Sequence, residues 1–482
     1  MKRCVVLGAG LAGLTAAFEL VRAGCRVTLV EAAPFAGGRA SSWKTRSGLL
    51  SGTGLHVVAS HYVNLLDVLN TVGGTRDLVW WDRHTYLRPG SRPIQWQYNR
   101  LPAPFHLLRA AIGIPESLST RLRLAGAGLD AVRRRQSDLE ALDRVPYLKW
   151  HAAHGLGSGF IRELADMAAD AATFLPLEQA SARAVLSWLK YMCADCAAGR
   201  IGTWRVPLRE GLVEPLVRAI REMGGEIRLE SAAFNLEVDG ERVRRVAIRR
   251  SSAARPCYSA AGQLDLDGPE EAIACDAVVS ALPVQHLRTL MGQALLTRAG
   301  LANVMRIATV PALSVSIRFD RKIRPLPVGA ALVAGCPIRD FIEIAAPDEA
   351  SAFLFLVSRA DEWMKREDGD IVRAVVHGFG EVWPPAAGAK PLDAAVERIG
   401  AAMFAATPGA HELRPPTETR IPNLFLAGDW VRHDLNASME GAVVSGRMAA
   451  RAVLGGSEVV PMLAPREPLY ARVIAAVAGR RN

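Results

Sequence analysis

The chain has 482 residues, half of them apolar and 22% charged, which excludes a disordered chain and predicts two or three packed regions. No run of about 18 or more uncharged apolar residues occurs, which argues against a membrane-spanning helix. The net charge of +10 points to an anionic surface partner; without a zinc-finger or RNP-type signature a membrane surface fits better than nucleic acid, and solubility alone would also account for it.

At the start of the chain, Lys2 and Arg3 followed by Cys4-Val5-Val6-Leu7 imitate a signal peptide. Cleavage there would destroy the glycine motif that follows, so the stretch reads as the start of the fold. Residues 3–32 read strand, turn, helix, strand: Cys4 to Leu7, Ala12 to Ala23 and Arg26 to Glu31. Between strand and helix stands Gly8-Ala9-Gly10-Leu11-Ala12-Gly13. Gly8 permits the tight turn, Gly10 lets a pyrophosphate approach the backbone, and Gly13 lets helix and strand pack closely. The helix N-terminus adds free N–H groups and a positive dipole end. Glu31 ends the second strand about 20 residues on, where an acid binds ribose hydroxyls and disfavours a 2′-phosphate. This motif alone leaves NAD and FAD open. Gly37-Gly38-Arg39 decides for FAD, because it brings backbone close to a ligand and a positive charge to phosphate or flavin.

Residues 80–200 are mostly helical in pattern, with Trp80, Trp81, Trp96 and Tyr98 among polar turns before Pro102. Phe105 to Ile114 is apolar and is followed by Arg121, Arg123, Arg133, Arg134 and Arg135. On a helix this sequence would lie at a lipid boundary with its arginines on anionic headgroups; a core helix followed by a solvated basic one is the alternative. The seven scattered cysteines (Cys4, Cys25, Cys193, Cys196, Cys257, Cys275 and Cys336) fit reduced thiols of a cytoplasmic protein, peripheral on a membrane if the basic helix binds lipid. Cys193 and Cys196 form a CxxC without a second pair, which reads as helical packing.

Gly211 to Met223 is an amphipathic helix that Gly224-Gly225 ends, and alternating strands follow from Glu226 to Arg249. Residues 251–272 read as a hairpin tip or insertion, Asp276 to Ala281 as a buried strand, and 311–358 as antiparallel strands forming a substrate wall. Asn423 to Leu454 returns to strand, turn, helix, so the first and last segments belong to one nucleotide domain. Asn423-Leu424-Phe425-Leu426-Ala427-Gly428-Asp429 precedes Ala437-Ser438-Met439-Glu440-Gly441-Ala442. A second helix N-terminus there can face the flavin carbonyl and stabilise reduced flavin. Asp429 can accept hydrogen bonds from ribityl or other hydroxyls, or serve only the turn.

With these motifs, and with Thr53-Gly54-Leu55-His56, Leu101-Pro102-Ala103-Pro104, Phe319-Asp320-Arg321-Lys322 and Ser445-Gly446, the sequence resembles the flavin amine oxidase and carotene desaturase superfamily nearly end to end. It is most similar to the plant-type carotene desaturases. The squalene-associated branch, which includes hydroxysqualene dehydroxylases, looks similar at Leu101 to Leu108 and at Gly428-Asp429-Trp430. The resemblance implies an α/β fold: a Rossmann-type, glutathione-reductase-like FAD-binding domain with an inserted substrate domain of mixed sheet and helices. The FAD-binding domain would comprise 1–75, 211–285 and 411–460. Residues 76–210 would form a mainly helical region facing substrate or membrane, 286–410 a substrate domain with antiparallel sheet, and 461–482 a tail helix.

Carried over by motif, non-covalent FAD would meet Gly8, Gly10, Leu11, Ala12, Gly13, Glu31, Ala32, Gly38, Arg39, Gly54, Leu55, His56, Val57, Tyr62, Gly428, Asp429 and Met439, with the backbone of Ala233 at adenine. His56 and Tyr62 could equally be structural. Two departures put phytoene itself in doubt. Val58, Ala59 and Ser60 replace bulky aromatics, and Leu208-Arg209-Glu210-Gly211-Leu212 lacks the family's substrate-pocket arginine at Gly211, leaving Arg209 to reach that space. The expected reaction is oxidation or desaturation of an apolar isoprenoid, with hydride passing to the flavin and either a membrane quinone or oxygen as acceptor. No catalytic residue stands out. An amine oxidase is disfavoured because the strand Ala312 to Asp320 offers Arg318 and no lysine. A hydroxysqualene-type dehydroxylase and a non-catalytic flavin-binding protein are the other readings.

Overall fold

The computed structural model describes residues 1–81, 83–97, 101, 105–112, 114, 116–157, 159–194, 199–254, 262–324, 331–345, 350–456, 459–465, 469–470 and 472–473. The expected opening unit forms as strand Arg3–Leu7, helix Leu11–Arg22 and strand Arg26–Val30. These two strands sit in a five-stranded parallel sheet ordered Glu226–Arg228, Arg26–Val30, Arg3–Leu7, Ala277–Ser280, Leu424–Leu426. The sheet is therefore assembled from the beginning, middle and end of the chain.

The run Cys4-Val5-Val6-Leu7 is buried throughout because both faces of the sheet are covered. Cys4 and Val6 pack in one core with Leu14 and Phe18 of the first helix and Val443 and Ala450 of the last. Val5 and Leu7 join a second core with Val284 and Leu287 of helix Val284–Arg298.

Two further sheets are antiparallel or mixed. Strands Ser231–Asp239, Arg242–Ser251 and Leu266–Ala274 form one of them. The polar segment 251–272 thus links two strands and includes part of the third; 255–261, and Cys257 with them, lie outside the described residues. The seven-stranded sheet is ordered Pro391–Phe404, Thr309–Phe319, Ala352–Val357, Asp340–Ile344, Ala331–Val333, Arg83–Leu87, Ile94–Gln97. One of its faces builds a core from Phe319, Phe341, Phe353 and Phe355 against Phe379 of helix Asp368–Val382.

The stretch from Trp80 to Trp96 corrects the sequence reading. It is strand, in Leu78–Trp81, Arg83–Leu87 and Ile94–Gln97; Tyr98 is not described. Helices follow at Phe105–Ile112, Leu118–Arg133, Tyr147–Ala153, Gly159–Thr173 and Ala182–Met192. The helix expected from Gly211 begins with a π turn, Arg209–Val213, and continues as Glu214–Glu222 before Gly224 turns the chain at φ 84°. Cys193 follows helix Ala182–Met192 as a free thiol, which burial pushes up to about 11. Pro102 to Pro104, Cys196 and most of the tail after 465 lie outside the described residues.

Candidate functional site

A deep cavity opens where the parallel strands end, and most of the expected cofactor residues line it. The first strand runs into Gly8, whose N–H donates to Val30 O at 2.8 Å and whose φ of 92° suits glycine. A Cβ at Gly13 would lie 1.9 Å from Gly8 O, so the helix can approach the turn only without a side chain there. Gly13 accordingly stays behind the wall, while Gly8, Gly10, Leu11 and Ala12 line the cavity. A Cβ at Gly10 would meet nothing within 4 Å, which leaves the helix N-terminus open to a ligand.

Glu31 is buried beside this turn. Its oxygens accept N–H bonds from Ala9 at 2.7 Å and Ala33 at 2.9 Å, and burial raises its carboxyl above the usual range. Gly38 crosses the glycine turn so closely that a Cβ would lie 3.1 Å from Gly10 Cα. Arg39 donates to Ala402 O at 2.7 Å and pairs with Asp429 at 2.5 Å. Two residues separated by most of the chain are thereby locked together at the cavity wall.

Gly54, Leu55, His56, Val57 and Tyr62 line the same cavity, as do Ala32, Ala233, Gly428, Asp429 and Met439. His56 Nδ1 is 3.0 Å from Gly54 O, and burial keeps its imidazole below the usual value, hence neutral at pH 7. Burial likewise raises the Tyr62 phenol, which bonds Ser438. Ser438 caps the last helix, Met439–Val453, by accepting the Gly441 N–H at 3.1 Å, and Ser445 Oγ accepts the Gly428 N–H at 2.8 Å. A glycine turn with open amides, a buried carboxylate and a second helix N-terminus form a donor and acceptor set that suits FAD.

Beyond this set the cavity runs between the seven-stranded sheet and the helices. Its walls there are Ala312, Leu356 and Ile399 from strands and Ala171, Phe174 and Trp188 from the helical region. Among the described residues no lysine lines it. Neither Arg318 nor Arg209 reaches it. Arg209 instead lies 5.1 Å over the Phe35 ring and 3.5 Å from Glu214, and a Cβ at Gly211 would strike the Trp204 ring at 2.2 Å. Arg209 is thus engaged with Phe35 and Glu214 and does not line the cavity.

Sequence reasoning missed three charged residues. Arg339 and Asp340 line the cavity as a pair, Nη1 to Oδ2 2.8 Å, and burial pushes the Asp340 carboxyl up to about 6. Arg414, about 1% exposed, donates to the carbonyls of Asp429 at 3.0 Å, Val431 at 2.5 Å and His433 at 3.2 Å. It holds the loop that presents Asp429, and burial lowers it to about 9, still cationic at pH 7. The only sequence signals were an Arg-Asp pair heading a strand and an arginine before a double proline.

Residues 11–454 match the family described as flavin containing amine oxidoreductase. A 15-cis-phytoene desaturase of an Oncidium hybrid cultivar is 27% identical over 480 residues, covering 93% of this chain and 77% of that one. A zeta-carotene desaturase of Synechocystis is 27% identical over 490 residues, covering 94% and 97%. Among solved structures, an oxidoreductase from Methanosarcina mazei superposes with a TM-score of 0.68 at 17% identity, covering 92% and 98%; this likeness concerns the fold.

Proposed function

This chain belongs to the flavin-containing amine oxidoreductase family and is an FAD-dependent oxidoreductase; from that premise we propose that it oxidises an apolar isoprenoid, by desaturation. The observation that carries this reading is the wall of Ala312, Leu356, Ile399, Phe174 and Trp188 beside the cofactor residues, without a lysine. The carotene desaturases similar to it over nearly its whole length support the same substrate class.

In this reading the amides after Gly8 and Gly10 would hold the pyrophosphate, Glu31 the ribose, and the N-terminus of Met439–Val453 would stabilise the reduced flavin. Bound non-covalently, FAD supplies the electron sink that accepts hydride from an allylic C–H. The chain's own part is to bind and orient. Apolar burial contributes about 25 cal/mol per Å² of substrate surface, and a fixed pose against the cofactor supplies the rate. Arg39, held by Asp429 and Ala402 O, keeps the two halves of the wall in register. A membrane quinone would take the electrons onward.

The test is anaerobic titration of the yellow holoprotein with a series of apolar isoprenoids and with putrescine. Bleaching of the flavin band by an isoprenoid and not by the amine is the expected result, with all flavin released by acid precipitation. Bleaching by the amine alone would overturn the substrate class, and flavin in the acid pellet would overturn non-covalent binding.

A further inference from the structure

The acid assigned to the ribose also fixes where the attached base must lie. Glu31 O accepts the Ser231 N–H at 2.8 Å, and the Glu230 N–H donates to Ala33 O at 3.0 Å. Strand Ser231–Asp239 therefore starts beside the ribose position, and a base one glycosidic bond away lies along it. This strand is an edge of its three-stranded sheet, so its outer backbone groups are left for the base, the role expected of Ala233.

Backbone bonds hold only the rim of a base; its flat faces need other surface, and Phe234 supplies it. The register with strand Arg242–Ser251 slips at this residue. Ala233 opposes Ile248 and Asn235 opposes Ala247, which leaves Phe234 without a register partner. A bulge of this kind re-aims side chains, and Ala233 and Phe234 both line the cavity. The Arg249 guanidinium lies over the Phe234 ring, 4.6 Å from its centroid, and is itself 3.6 Å from Glu270. The ring is thus braced by an ion pair and still partly exposed at the cavity wall. Ala233 packs against the core that contains Val284 and Leu287, so the start of helix Val284–Arg298 borders the same end, with Gln285 and His286 lining it.

We propose that Phe234 binds the cofactor, its ring stacking on the adenine of FAD with Arg249 on the opposite face of the ring. The proposal rests on placing the adenosine half at Glu31 and Ala233, and extends that placement to a side chain outside the nucleotide motifs. Stacking suits a base because every base has a π-face, and truncating the aromatic partner weakens binding about fivefold to a hundredfold. Arg249 adds a cation to the stack.

The experiment measures FAD and FMN dissociation constants of the flavin-stripped full-length protein by flavin fluorescence. FMN lacks the adenosine half and is titrated at the higher concentration that its weaker binding requires. Phe234→Ala and Phe234→Leu should each weaken FAD at least about fivefold while changing FMN less than about twofold. Phe234→Tyr, which keeps the ring, should hold FAD within about twofold of wild type. The leucine variant keeps apolar bulk without a flat face, and gives the reading if the alanine variant fails to fold. Unchanged FAD affinity in the leucine variant would overturn the stack, as would an equal loss of FMN or a tyrosine variant as weak as the alanine one. A loss in Glu31→Ala with none at Phe234 would remove Phe234 and leave the adenosine placement standing. Wild-type affinity in Glu31→Ala too would refute that placement and take this proposal with it.

Discussion

Glu31 does structural work before any cofactor arrives, because it gathers the Ala9 and Ala33 amides on its two oxygens. Its remaining acceptor capacity belongs to the ribose in our reading, so Glu31→Ala removes a charge-assisted bond of about 1.5–3 kcal/mol. FAD affinity of the apoprotein, measured by quenching of flavin fluorescence, should fall about tenfold to a hundredfold. Asp429→Ala should fall in the same direction, because it also frees Arg39 from its 2.5 Å ion pair. Wild-type affinity in both variants would remove these residues from the cofactor site. The glycines and Glu31 were legible in the sequence because a phosphate-binding turn constrains neighbouring residues at fixed spacing. Arg339, Asp340 and Arg414 were not. Whether a charged side chain is buried, and what it meets there, is decided by partners far along the chain, such as the carbonyls of 429–433 that hold Arg414.

At the scale of elements, the last helix locks the site by lying directly on the first. A Cβ at Gly446 would sit 2.4 Å from Ala12 O, so this crossing depends on glycine. Arg447, the next residue, is fully buried between three elements. It reaches Glu19 at 3.0 Å on the first helix, Asn64 at 3.0 Å on helix Val63–Val72, and Asp67 on the same helix. Arg447→Met would strip Glu19, 2% exposed, of one of its two arginines, leaving it Arg22 at 3.0 Å, and would take a donor from Asn64 Oδ1 at the same time. The expected loss is about 1–3 kcal/mol, and adding Glu19→Met should restore part of it. Thermal and urea unfolding of the single and double variants would show this, and a single variant as stable as wild type would refute it. Elements were legible where the signal is local, as in the opening strand, turn and helix. The strands around Trp80 were misread because their pairing is remote. Leu78–Trp81 pairs with Ile201–Trp204, and Arg83–Leu87 with Ala331–Val333, so tertiary partners and not local periodicity make them strands.

On the scale of the whole molecule the question is how an oily substrate reaches a buried cavity. Among the described residues no helix is long and apolar enough to cross a membrane. The helices Phe105–Ile112 and Leu118–Arg133 nevertheless expose large apolar side chains: Phe105 at 57%, Ile112 at 65%, Leu118 at 72% and Leu122 at 57%. Beside them His106 Nε2 lies 3.0 Å from Cys193 O, at the end of the helix whose Trp188 lines the cavity. The helix that exposes Phe105 and Ile112 is thus tied to the end of the helix that lines the cavity. The basic face is narrower than the sequence suggested, because Arg133 and Arg134 are tied to buried Asp130 at 2.6 and 2.7 Å. That leaves apolar insertion as the larger contribution, about 1.5–3 kcal/mol for each side chain fully buried in lipid. Leu118→Asp with Leu122→Asp should therefore reduce flotation with liposomes at least about tenfold, with FAD content unchanged. Charge reversal at exposed Arg123 and Arg135 should matter less and mainly on anionic lipid, in step with weakening by salt. Replacing Arg133 and Arg134 is a poor test, since it would unpair Asp130 in the fold itself. If the wild type stays with the soluble fraction in every lipid mixture, entry from the bilayer is ruled out, and the exposed leucines need another partner.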